Sequence, residues 1–133
     1  MKQFNFILAA LLIFTSCKKE KEVQPNTTTI VPGGIGGKYN IAIFPLKGNI
    51  GITGKCYIKY ACKEIPNKPI FNDSVATMIE PGFGQHSHFF NLKSGYYYIK
   101  AIGKYQGNQL TGDTLLEIHE NQNPSVDYNL QVK

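Results

Sequence analysis

Residues 52–62 read Ile52-Thr53-Gly54-Lys55-Cys56-Tyr57-Ile58-Lys59-Tyr60-Ala61-Cys62, and this stretch decides the fold class. Its even positions are Ile52, Gly54, Cys56, Ile58, Tyr60 and Cys62, whereas Thr53, Lys55, Tyr57, Lys59 and Ala61 occupy the odd ones. Side chains alternate across a strand, so the segment has one dry face and one wet face and reads as a half-buried strand. The C-terminus repeats the pattern, with Val126, Tyr128, Leu130 and Val132 set against Asp127, Asn129, Gln131 and Lys133. Further strands are expected at 39–44, 74–79, 85–91, 96–105 and 114–119. Turn chemistry separates them at Lys47-Gly48-Asn49, Pro81-Gly82, Lys93-Ser94-Gly95, Gln106-Gly107-Asn108 and Asn121-Gln122-Asn123-Pro124. No segment sustains a helical period. About seven strands in about a hundred residues predict an all-β fold, a small antiparallel β-sandwich.

Upstream of the strands the chain changes character. Lys2 precedes an unbroken apolar run from Phe6 to Phe14, followed by Thr15-Ser16-Cys17 and then Lys18-Lys19-Glu20-Lys21-Glu22. A bilayer span needs about 20 apolar residues, so the run is too short to cross and reads as an export signal. This arrangement resembles the signal peptide and lipobox of bacterial lipoproteins, and the Ser-Cys-Lys-Lys-Glu run resembles those of the Bacteroidetes group. The resemblance implies cleavage after Ser16 and an acyl (palmitate-type) anchor on Cys17. It also implies a place in the cell envelope, with the outer membrane expected. A plain secretory signal cut near Ser16 gives the same compartment with a free thiol at Cys17.

Removing residues 1–16 leaves 117 of the 133 residues, enough for one domain with a modest core. Lys2 leaves with the signal, so 13 of the 14 lysines face 9 acidic residues, a net of +4. The chain contains no arginine, which removes the bidentate forks used on bases and phosphates, and no nucleic-acid partner is expected. Residues 17–37 carry mixed charge, Thr27-Thr28-Thr29, Pro25, Pro32 and Gly33-Gly34-Ile35-Gly36-Gly37. They offer little to bury and read as a flexible tether holding a domain at 38–133 about 25 Å from the membrane. The glycines lack the spacing of a phosphate-binding loop.

The segment Phe89-x-x-Leu92-x-x-Gly95-x-Tyr97-x-Ile99-x-Ala101 resembles the prealbumin-like (transthyretin-like) sandwiches, including carboxypeptidase regulatory-like and Cna-B-like domains. The resemblance extends to Thr114–Ile118 and Val126–Leu130 as the last two strands. It implies a Greek-key sandwich in which Gly95 forms a hairpin turn and Phe89, Leu92, Tyr97, Ile99 and Ala101 point into the core. It carries no activity. Hydroxyisourate hydrolase uses this fold with an arginine and a C-terminal Tyr-Arg-Gly-Ser, both missing from this chain, so its activity does not transfer.

Three residue groups could carry chemistry. His86 and His88 lie two apart on one strand, share a face, and could grip one metal ion. If Phe89 faces inward they face outward with Phe90, and His119, beside Glu117, would complete the site only if its strand lies close. The bland alternative is ordinary surface histidines. Cys56 and Cys62 would stand about 20 Å apart on a straight strand, too far for a disulfide. They read as two small buried hydrophobes, or as a bridge if the strand ends before Cys62 and turns back. Tyr57, Tyr96 and Tyr98 fall on the face opposite the core and could stack on a glycan or anchor a protein partner. They could equally be strand-forming residues with no such use. No nucleophile elbow surrounds Ser94, and Asp113, Glu117 and Glu120 do not form a separated carboxylate pair. The expectation is therefore a monomeric, non-catalytic, lipid-anchored binding or accessory module without a cofactor. Metal binding through His86 and His88 is the alternative.

Overall fold

The computed structural model describes residues 30–133; the expected signal peptide, Cys17 and the chain up to residue 29 lie outside them. Among the described residues there are nine strands and no helix: β1 (Ile35–Lys47), β2 (Ile50–Gly51), β3 (Thr53–Tyr60), β4 (Asp73–Ala76), β5 (Met78–Glu80), β6 (Gly84–Leu92), β7 (Gly95–Tyr105), β8 (Asn108–Ile118) and β9 (Ser125–Gln131). They form an all-β sandwich. In one sheet β1 is central, flanked by β9 on one side and by β6 and then β5 on the other, with two-residue β2 beside its end. The second sheet runs β4-β3-β7-β8. The expected strand at 74–79 divides at Thr77, whose amide donates to Gly54 O at 2.9 Å, so the chain passes from one sheet to the other there.

The inward faces follow the period-two pattern. Tyr39, Ile41, Ile43, Phe89, Leu92 and Leu130 of the first sheet meet Cys56, Ile58, Tyr97, Ile99, Ala101 and Ile118 of the second, all buried. At roughly 25 cal/mol per Å² this apolar burial is the main force holding the layers together. Cys56 and Cys62 are both free and buried, and the strand ends at Tyr60 before Cys62.

Two expectations are corrected. The folded unit begins before Lys38, because β1 starts at Ile35 and the chain ahead of it is hydrogen-bonded to β7 and to the β6–β7 connection. Pro32 O accepts from Tyr96 N and Gly34 O accepts from Lys93 N, both at 2.8 Å. Gly33 and Gly37 here serve close packing, since a Cβ would stand 2.7 Å from Tyr96 O at the first and 2.1 Å from Leu92 O at the second. Gly95 does not turn a hairpin, since β6 and β7 belong to different sheets; it lies where the chain crosses between them. Its φ of +139° and the 2.3 Å that would separate a Cβ from the Pro32 carbonyl carbon both require glycine. Within this otherwise antiparallel sandwich one pair runs parallel, β9 with β1, from Asn40↔Ser125 to Leu46↔Gln131.

Candidate metal centre on the β5–β6 hairpin

The hairpin joining β5 to β6 turns through Pro81-Gly82-Phe83, with register Met78↔His86, Ile79↔Gln85 and Glu80↔Gly84. Directly opposed residues share a face, and so do residues two apart. Met78, Glu80, His86 and His88 therefore all project from the outer face of the first sheet. On the neighbouring side Ala42 opposes His88, which places Phe44 beside His86. Ser87 and Phe89 point the other way, into the core.

The outward direction of His86 was legible, but its exposure was not. His86 is only 1% exposed, covered by Phe44 (ring centroids 5.0 Å apart) and flanked by Phe83 (6.4 Å). A buried imidazole needs partners for both nitrogens. Nδ1 lies 3.0 Å from Gly84 O, and a carbonyl only accepts, so Nδ1 carries a proton. Gly84 has a φ of +84°, a glycine conformation in the turn whose carbonyl holds the ring. In the neutral ring Nε2 is then a lone pair. It faces His88 Nε2 at 2.8 Å and Glu80 Oε2 at 3.3 Å. His88 Nε2 lies 3.9 Å from the same carboxylate oxygen, and its ring stacks on Phe90 at 5.3 Å.

Three ligand atoms thus converge, all within 4.8 Å of one another. Metal–nitrogen and metal–oxygen bonds of about 2.0–2.2 Å at tetrahedral angles put neighbouring ligand atoms roughly 3.3 Å apart. The edges of 2.8, 3.3 and 3.9 Å bracket that value. An ion entering would part the histidines by about half an ångström and draw Glu80 toward His88. His86 Nδ1–H donating to a backbone carbonyl is the outer-shell arrangement that orients a ligating histidine. Glu80 is about half exposed and His88 about a quarter, so the site opens to solvent on their side.

Glu80 escaped the sequence reading, which looked to His119 for a third ligand. His119 does not join the group. It stands just beyond β8 in the opposite sheet, exposed, with Nδ1 3.5 Å from Glu117 Oε1. The signal for Glu80 was the Pro81-Gly82-Phe83-Gly84 turn, which folds the residue ahead of it back against the strand that follows.

The three tyrosines are placed differently from an open stacking platform. Tyr98 is 2% exposed: Phe71, from the connection between β3 and β4, stacks on it (5.9 Å, 14° between planes) and its hydroxyl donates to Asp113 Oδ2 at 2.9 Å. Tyr57 is half-buried against Phe71, with ring centroids 5.2 Å apart. Tyr96 is half-buried with Lys63 Nζ 4.4 Å above its ring, and the adjacent Glu117 carboxylate raises its phenol. The face is thus covered by the chain itself over Tyr98, because residues 61–72 fold back across it. No family model, curated protein or solved structure matches the chain.

Proposed function

We propose that this protein is a non-catalytic binding module that captures a transition-metal ion at Glu80, His86 and His88. One observation carries the reading: a buried histidine, its Nδ1 held by Gly84 O, turns Nε2 toward a second histidine and a carboxylate at ligand-like separations. A mixed imidazole and carboxylate set suits zinc, copper, nickel or iron rather than calcium or magnesium. Three protein ligands leave a coordination position on the solvent side, which suits an ion that is taken up and passed on.

Titration of the full-length chain in detergent with Zn²⁺ tests this. A ligand at a hundred times its Kd stabilises the native state by about 2.7 kcal/mol, roughly 13 °C in Tm for a domain of this size. Glu80→Gln, at a half-exposed position, should abolish the shift while leaving the metal-free Tm nearly unchanged, and His88→Ala should abolish it while lowering that Tm, because it removes the partner of His86 Nε2. Acidification should weaken binding, because protons compete for the imidazoles. A wild-type Tm unmoved by excess metal refutes the proposal.

The location is part of the same proposal. The signal-like run and Cys17 support a lipid-anchored envelope protein, and the prealbumin-like segment supports an accessory domain carried on that anchor. Cys17→Ala should release the chain from the detergent-extracted membrane fraction into the soluble one; retention would overturn the anchor.

A further inference from the structure

The outer face of the hairpin holds a fourth donor. Met78 sits directly across from His86 in the β5–β6 register, on the same face as all three ligands, and is about half exposed. Opposed residues in an antiparallel pair have Cβ atoms about 4.5–5.5 Å apart, and the methionine stem has three rotatable bonds. Its sulfur can therefore reach an ion held on His86 Nε2 with only side-chain rotation. On the far side of His86 stands Phe44, which offers no donor, so within this row of the sheet the reachable one is sulfur.

Resting on the metal-binding reading above, we propose that Met78 is the fourth ligand and that the ion this site takes is copper, held in the cuprous state by the thioether. Thioether sulfur selects Cu(I) over Zn(II), whereas imidazole and carboxylate alone serve both. A two-histidine, one-carboxylate, one-thioether set thus differs from a zinc set in one residue. The same arrangement gives a reason for an apolar side chain kept exposed on the short edge strand β5: it covers the open coordination position.

The sequence supplies a clean reporter. The chain has two methionines, Met1 and Met78, and Met1 lies in the expected signal, so a protein labelled with methyl-13C methionine shows Met78 as its one resonance after processing and as one of two before it. Silver(I) serves as the air-stable stand-in for Cu(I), and the full-length chain in detergent is the sample. The Met78 methyl resonance should shift on adding one equivalent of Ag(I) and move little with Zn²⁺. It should not shift with Ag(I) in His88→Ala, which separates this site from silver caught by cysteine thiols. Met78→Leu, similar in volume and on the surface, should weaken Ag(I) at this site at least about tenfold and leave Zn²⁺ affinity within about twofold. Binding of Zn²⁺ with an unmoved Met78 resonance under Ag(I) refutes the methionine ligand while leaving the metal site intact. Equal weakening of both ions by Met78→Leu refutes it too, as a packing effect. Failure of the wild type to bind either ion refutes the underlying site.

Discussion

Tyr97→Phe removes one oxygen from the centre of the domain and should cost more than its size suggests. The Tyr97 ring is fully buried, and its hydroxyl donates to Lys93 O at 2.6 Å, with Gly34 O a second acceptor at 3.0 Å. The same oxygen accepts from Gly34 N at 3.0 Å. It thus pins the chain ahead of β1 and the crossing between the sheets at a single point. Each hydrogen bond contributes about 1 kcal/mol net, and a donor left unpaired in a dry place adds about 1 kcal/mol or more. The Gly34 side is only partly buried, so water can recover part of the loss. The expected cost is about 2 kcal/mol, which for a domain of this length lowers Tm by ~10 °C. Thermal unfolding followed by circular dichroism gives the number, and hydrogen exchange of the Gly34 amide gives the mechanism. Protection of that amide in the wild type should fall in the variant more than protection of the β3–β7 ladder. A Tm change under about 3 °C, or a Gly34 amide already unprotected in the wild type, would refute the reasoning.

Two further outcomes follow from titrating groups. Burial pushes the Cys56 thiol up to about 11, opposed in part by its hydrogen bond with Ser87. At pH 8 the thiolate is then about one part in a thousand, so peptide mapping after a thiol reagent should find Cys56 unmodified until denaturant is added. Burial, reinforced by Asp113 beside it, pushes the Tyr98 phenol up to about 12. The folded state therefore keeps a proton that the unfolded chain releases near pH 10. Its stabilisation is complete below pH 10 and lost as pH rises toward 12. Alkaline unfolding across that window, monitored by tyrosinate absorbance, should move to higher pH relative to the other tyrosines' loss in Tyr98→Phe.

The strands were legible because each buries one face, and period two records this directly. Cys56 and Ile58 stand in the core where alternation placed them, and Phe89, Leu92, Tyr97, Ile99 and Ala101 stand there as the likeness of their segment to a known pattern implied. Alternation reports direction, however, and not what lies above a face. Tyr98 and His86 do point away from the core, yet Phe71 covers one and Phe44 the other, each brought by a distant segment. Composition misled at Gly33–Gly37 for a related reason. Slack linkers and backbones pressed closely together both favour glycine, and only the partners distinguish them: a Cβ on Gly37 would stand 2.1 Å from Leu92 O. Glu80 stayed hidden because a hairpin turn, rather than a spacing along one strand, brings it to the histidines. The parallel union of β1 and β9 leaves no local mark, since its partners are separated by most of the domain.

That last pairing governs when the domain can form. Strand β1 is the scaffold of its sheet, yet one of its long edges is filled by the final strand, with Ile41 beside Val126 roughly 85 residues later. Contacts so remote in sequence carry a large loop-closure cost and slow the search for the native state. A chain emerging from its N-terminus holds β1 with that edge open until β9 arrives. Closure of the sheet is therefore deferred until β9 has been made, and its docking is the step that commits the domain to the folded state.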